Sequence, residues 1–289
     1  MSKKTVNVVA LKDDWILQEI AQHVSKLPYV EWTTKPTKKA QITYYINYAQ
    51  SADQRVSPIE CALFTHVEYG VPALMEKWRL VGEQADVAVC MSKPFTKEFR
   101  RSHAQPVVIS PGVDMEAYSL KKIRIGVIGS AKKTGRKGER IIAKVMDIPE
   151  IEWCFTGKGW PGKSTYYAAE DMPAFYHTLD YVLIASDYEG GPMCAIEALA
   201  CGVPLISTDV GWVGDLPHIK IAKDSEASLR RVLMKIVEER KKLRQAVLHQ
   251  SWDNYTKQHD VLFQALLKLG DDVSPRSVKK ALKQAARQF

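Results

Sequence analysis

The chain has 289 residues, of which 46% are hydrophobic, with a formal net charge of +8. Such a length and apolar content build one large or two modest cores and exclude a disordered chain. The five cysteines, Cys61, Cys90, Cys154, Cys194 and Cys201, are odd in number, form no C-x-x-C pair and sit in apolar runs. That argues against a disulfide framework or a zinc site and predicts reduced, buried thiols.

Short apolar runs alternate with amphipathic stretches along the chain. VNVVAL precedes a predicted helix over 14–26, ITYYINY and CALFTH precede one over 70–83, DVAVCM one over 94–102, and VVIS closes the series. The apolar run at the start is broken by Lys12, Asp13 and Asp14 before it could serve as a leader, and no later run approaches the roughly 18 apolar residues of a membrane span. The expectation is a cytoplasmic protein, peripheral to a membrane or associated with DNA at most. SPGVD and a charged segment, from Pro111 to Lys122, interrupt the pattern. A second series follows, with IRIGVIG before 137–146, IEWCFTG before 170–179, YVLIAS before 192–201, and then PLIST. Alternating strand and helix signals imply parallel sheets covered by helices. The fold class read from this is α/β with two Rossmann-like domains. The boundaries are 1–118 for the first domain, 119–250 for the second, and 251–289 for a C-terminal helix and basic tail.

Charge is uneven. Eight Lys or Arg stand against one Glu from Lys121 to Arg140, and the tail from Ser274 carries no acid. Polyanionic partners, DNA or an anionic membrane, are expected at 121–140 and 274–289. In the tail, Arg276, Lys279, Lys280, Lys283 and Arg287 recur at helical steps beside Val278, Ala281, Leu282 and Ala285.

Two stretches carry chemistry. GKGWPGKS, from Gly157 to Ser164, fits the phosphate-loop pattern G-x-x-x-x-G-K-[ST] of nucleotide hydrolases and kinases. A phosphate loop leads straight into a helix, however, whereas STYYAAEDMP follows here, and Pro161 removes a backbone donor. The denser signal is SDYEGGPMCAIEALACGVPLIST. A strand ends at Ser186, Glu189-Gly190-Gly191-Pro192 turns, and Pro192 opens a helix whose first amides can receive an anion. Glu189 before the helix and Glu197 within it offer carboxylates to hydroxyls. Amides for a diphosphate beside carboxylates for hydroxyls suit a nucleotide-sugar.

EGGPMCAIE followed by EALACGVPLIST resembles the E-x7-E signature of the retaining family 4 glycosyltransferases, group 1, of GT-B fold. ADVAVCMS, VISPGVD, Lys137-Gly138, FTGKG, LDYVLIAS and SWDNYTKQH occur in the order that family shows. The resemblance implies two Rossmann-like domains facing a cleft, with C-terminal helices crossing back to the first. It implies transfer of a hexose from a nucleoside-diphosphate-sugar, a UDP-sugar above all, to an acceptor hydroxyl on a glycan, a lipid-linked glycan or a hydroxymethylated DNA base. No further cofactor is expected, and no metal, because the clustered acids needed to hold one are missing from the sequence. By the same resemblance Glu189 contacts sugar hydroxyls, Glu197 the ribose, and Gly190, Gly191, Pro192, Met193 and Cys194 the sugar and diphosphate. Lys137 meets the diphosphate, Gly157 borders the base, and His66 approaches the transferred sugar, so His66, Glu189 and Lys137 are the expected catalytic group. The family's Arg after Gly129 is here Ser130, leaving Lys132, Lys133 or Arg136 to supply its charge. The rival readings are an inactive GT-B-like nucleic-acid-binding protein and a phosphate-loop NTPase or kinase.

Overall fold

The computed structural model describes residues 5–12, 15–132 and 134–289. Lys133 and the pair Asp13-Asp14 lie outside the described residues. The chain divides into two compact units, one made of 1–118 with 247–289 and the other of 119–246.

The first unit runs β1 (Val6–Val9), α1 (Trp15–Val24), β2 (Val30–Thr33), β3 (Ile42–Tyr45), β4 (Ile59–Phe64), α2 (Pro72–Gln84), β5 (Val87–Cys90) and β6 (Gln105–Val108). The second runs β7 (Ile123–Val127), α3 (Glu139–Val145), β8 (Ile151–Phe155), α4 (Met172–Tyr176), β9 (Tyr181–Ile184), α5 (Met193–Ala200), β10 (Leu205–Ser207), β11 (Ile219–Lys220) and α6 (Glu226–Gln245). The chain then adds α7 (Trp252–Leu267) and α8 (Pro275–Ala285) to the first unit.

Both sheets are parallel, in the orders β2-β1-β3-β4-β5-β6 and β11-β10-β9-β7-β8. The expected α/β class with two Rossmann-like halves is what the chain forms. A strand buried on both faces reads as a continuous apolar run, which is why VNVV, ITYY, IECALF and VAVC are buried throughout. In the first unit one face is closed by α7, whose His259 and Phe263 rings lie 5.3 and 5.8 Å from Tyr44. The other face holds Phe64 against Trp78 and Phe99.

Two local expectations fail, and one strand carries no sequence signal. The stretch read as a helix over 94–102 is a short 3-10 turn, Pro94–Phe99. The sequence does not mark β2: its four residues are buried only at Val30, so it shows no apolar run. Among the thiols Cys61 and Cys90 are buried, but Cys154, Cys194 and Cys201 are half-buried, because their elements border the surface.

Candidate functional site

In an open parallel sheet, the crevice for ligands opens at the carboxyl ends of the strands where the chain reverses direction across the sheet. In the second unit that point lies between β7 and β9, since β8 is added on one side of β7 and β9 on the other. Two loops leave those strand ends. Residues 128–138 follow β7 and hold Gly129, Ser130, Lys132, Arg136 and Lys137, while 185–192 follow β9 and hold Glu189, Gly190, Gly191 and Pro192.

Glu189 joins the two loops. Its carboxylate accepts from Arg136 Nη1 at 2.8 Å and pairs with Lys137 Nζ at 3.4 Å. Ser186 Oγ donates to the same group at 3.1 Å. Burial pushes the acid up, and the Arg136 hydrogen bond, the Lys137 charge and Ser186 together outweigh it, leaving Glu189 below the ordinary glutamate range. Arg136 is itself fixed by the Tyr188 carbonyl at 2.9 Å and lies 5.5 Å from the Tyr188 ring centroid. Of the described cations considered for the missing arginine, Arg136 is the one gathered at this carboxylate, and Lys132 is exposed.

Pro192 is the N-cap of α5 rather than its first residue, and no side chain caps the helix. The amides of Met193 and Cys194 thus open the helix at its positive end, beside Lys137 and Glu189. Gly191 is required by packing, because a Cβ there would stand 2.3 Å from the Trp212 ring. Glu197 is exposed on α5, and its carboxylate accepts from Tyr176 Oη at 2.6 Å.

The GKGWPGKS stretch does something other than cradle phosphate. Gly157 and Gly159 adopt φ of +87° and +86°, and a Cβ at either would lie 2.4 or 2.3 Å from the carbonyl oxygens of Gly129 and Ala131. The amide of Lys158 donates to Ser130 Oγ at 3.2 Å, its carbonyl accepts from Ala131 N at 2.7 Å, and Trp160 Nε1 donates to Gly129 O at 2.7 Å. The loop is a brace for the β7 loop, with both backbone groups of Lys158 engaged there. No helix follows Ser164, which instead bridges back to Phe155, and Lys163 is exposed. The phosphate-loop reading fails on this geometry.

His66 sits in the other unit, just after β4. Its Nε2 lies 2.6 Å from Glu68 Oε1 and its Nδ1 2.9 Å from Thr65 Oγ1. Sequence reasoning missed Tyr176, Ser186 and Trp212, each of which acts on a site residue across a loop or an element. Only Ser186, three residues before Glu189, carries a local signal.

No curated protein matches this chain. Among solved structures it is similar to sucrose-phosphate synthase from Thermosynechococcus elongatus, at 13% identity and a TM-score of 0.40, over 93% of this chain and 100% of that one. It is also similar to Anabaena HepE in complex with UDP and glucose, at 12% identity and a TM-score of 0.36, over 99% and 100% of the two chains. The apo lipopolysaccharide outer core galactosyltransferase WaaB is similar at 12% identity and a TM-score of 0.34, over 88% and 96%. Residues 164–247 match the family model described as Glycosyl transferases group 1, so the family likeness falls on the segment that supplies Glu189, α5 and Glu197.

Proposed function

We propose that this chain is a retaining glycosyltransferase that moves a hexose from a UDP-sugar or similar nucleoside-diphosphate donor to an acceptor hydroxyl. The observation that carries the reading is the gathering of Arg136, Lys137, Glu189 and the first amides of α5 at one strand switch point.

Each part has a job in that reaction. A diphosphate placed among Arg136, Lys137 and the α5 amides gains hydrogen bonds to cations and to the helix terminus. In taking over the two cations it releases Glu189 to accept from sugar hydroxyls. Glu197, oriented by Tyr176, accepts from the ribose. As the bond from the anomeric carbon to the phosphate oxygen breaks and the acceptor oxygen bonds on the same face, the acceptor proton passes to the departing phosphate. The cations stabilise the charge that develops there, the kind of electrostatic term that dominates such sites. His66 is assigned a part in turnover, so His66→Ala should lower kcat and leave the donor Kd unchanged.

The decisive experiment is a thermal-shift screen of UDP-, GDP- and ADP-sugars followed by donor hydrolysis. A ligand at a hundred times its Kd adds about 2.7 kcal/mol of stability. A protein that no nucleotide-sugar stabilises would end this reading, and one stabilised without any turnover would be the inactive binding protein instead.

A further inference from the structure

The two flanks of α8 are chemically unlike. On one, Lys280 and Lys268 border a hollow that also holds Asp260 and Asp272, so the charges are mixed. On the other, Lys279 and Lys283 line a groove of about 860 Å³ that Lys93 and Arg100 also line. Thr96 and Ser102 belong to the same groove, and among the described residues no Asp or Glu lines it. All four cations are exposed, and none pairs with a described carboxylate. Lys279 and Lys283 are one turn apart, about 6 Å along the axis. Like charges set around a concavity without counter-charges focus a positive potential into it.

We propose that this groove takes the phosphodiester backbone of duplex DNA. Lys, Arg, Ser and Thr are the side chains that contact phosphate and sugar oxygens without reading sequence. A duplex presents those phosphates on a convex ridge, which a groove can admit and a planar bilayer cannot match. An adsorbing membrane helix pushes apolar side chains outward, whereas Phe99 and Leu282 are buried here beneath the cations. A single strand is gripped by exposed aromatic platforms, and the groove offers only Phe289, 37% exposed. The surface belongs wholly to the first unit, so it stands apart from the donor-site reading.

Removing α8 would be a poor test, because Val278, Ala281, Leu282 and Ala285 are buried in this unit and the core would be uncovered. Charge reversal at exposed positions avoids that. Binding of a labelled duplex of about 20 base pairs is followed by anisotropy between about 50 and 200 mM salt. Four phosphate contacts give a log–log salt slope of about −3.6. K279E/K283E should lose about tenfold in affinity at low salt and about two units of slope. K268E/K280E, with the same change in net charge, should bind within about threefold of the parent. If K279E/K283E unfolds, K93A/R100A reads the same groove. Equal losses in the two reversals, no duplex binding at low salt, tighter binding of a single strand, or binding to phosphatidylglycerol vesicles in place of DNA would each overturn the proposal.

Discussion

Tyr176 donates its phenolic hydrogen to Glu197 across 2.6 Å, from a ring only 1% exposed. Burial first, and then the carboxylate it serves, push the Tyr176 hydroxyl well above the ordinary tyrosine range. The phenol therefore stays a donor at any working pH, and Glu197 is held in one place on an otherwise exposed helix face.

Glu197→Ala should weaken UDP binding by about 1.5 to 3 kcal/mol, the worth of a hydrogen bond to a charged acceptor. Tyr176→Phe keeps the carboxylate but frees its rotamer, and should cost about 1 kcal/mol or less of the same affinity. Titration calorimetry with UDP measures both. An unchanged affinity in folded Glu197→Ala would remove Glu197 from the site.

Lys163 and Lys137 separate the two phosphate-binding readings. Lys137→Ala should cut donor affinity by about tenfold or more, because it removes a cation beside the Glu189 carboxylate. Lys163→Ala should leave donor turnover unchanged, and the parent protein should not hydrolyse ATP. Turnover lost through Lys163 together with ATP hydrolysis would reverse the assignment.

Gly157→Ala tests the brace. The substitution combines a left-handed backbone with a Cβ 2.4 Å from Gly129 O, and should destabilise the second unit by about 2 to 4 kcal/mol. Gly190→Ala is the control for stability, because nothing lies within 4 Å of its Cβ, and it should change the melt by no more than about 0.5 kcal/mol. Similar melting of the two variants would show that the loop bears no such strain.

His259 sets a pH window for the first unit. Its ring is fully buried, with Nδ1 3.0 Å from Tyr255 O and Nε2 3.2 Å from Tyr44 Oη. Burial lowers its pKa from 6.5 to about 4, against a smaller upward push from the Tyr255 carbonyl. Between those values the unfolded chain binds a proton that the native state refuses. The stability is complete above about pH 6.5 and falls by about 1.4 kcal/mol per pH unit on the way down to about pH 4. Denaturant melts of the parent and of His259→Gln across this range should differ by that slope, and parallel curves would refute it.

Much of this was legible in the sequence because it is local. The turn EGGP, the helix behind it and the parallel strands are each written in a few consecutive residues: glycines, a proline, an apolar run. The pairing of Arg136 with Glu189 spans 53 residues and that of Tyr176 with Glu197 spans 21, and no short-range pattern marks either. Arg136 was one of three cations in view, and only the fold brings it to the carboxylate. GKGWPGKS misleads for a related reason. Gly157 and Gly159 answer to the backbone of Gly129 and Ala131 and Gly162 to the Phe155 ring, close approaches made by tertiary packing that mimic a ligand-binding pattern. The 94–102 stretch has helical spacing, yet Pro94 opens a tight 3-10 turn that ends at Phe99.

The first unit is assembled from both sides of the second: its sheet is complete by residue 108, but α7, which covers Tyr44, begins only at Trp252. On a ribosome making roughly 5 to 20 residues each second, that cover arrives on the order of ten seconds after the sheet has emerged. The second unit, continuous from 119 to 246, can mature first, while the earlier sheet waits with its apolar face open. Nascent chains of this protein should therefore depend on a holdase during synthesis, and joining 247–289 ahead of residue 5 in a permuted gene should relieve that dependence.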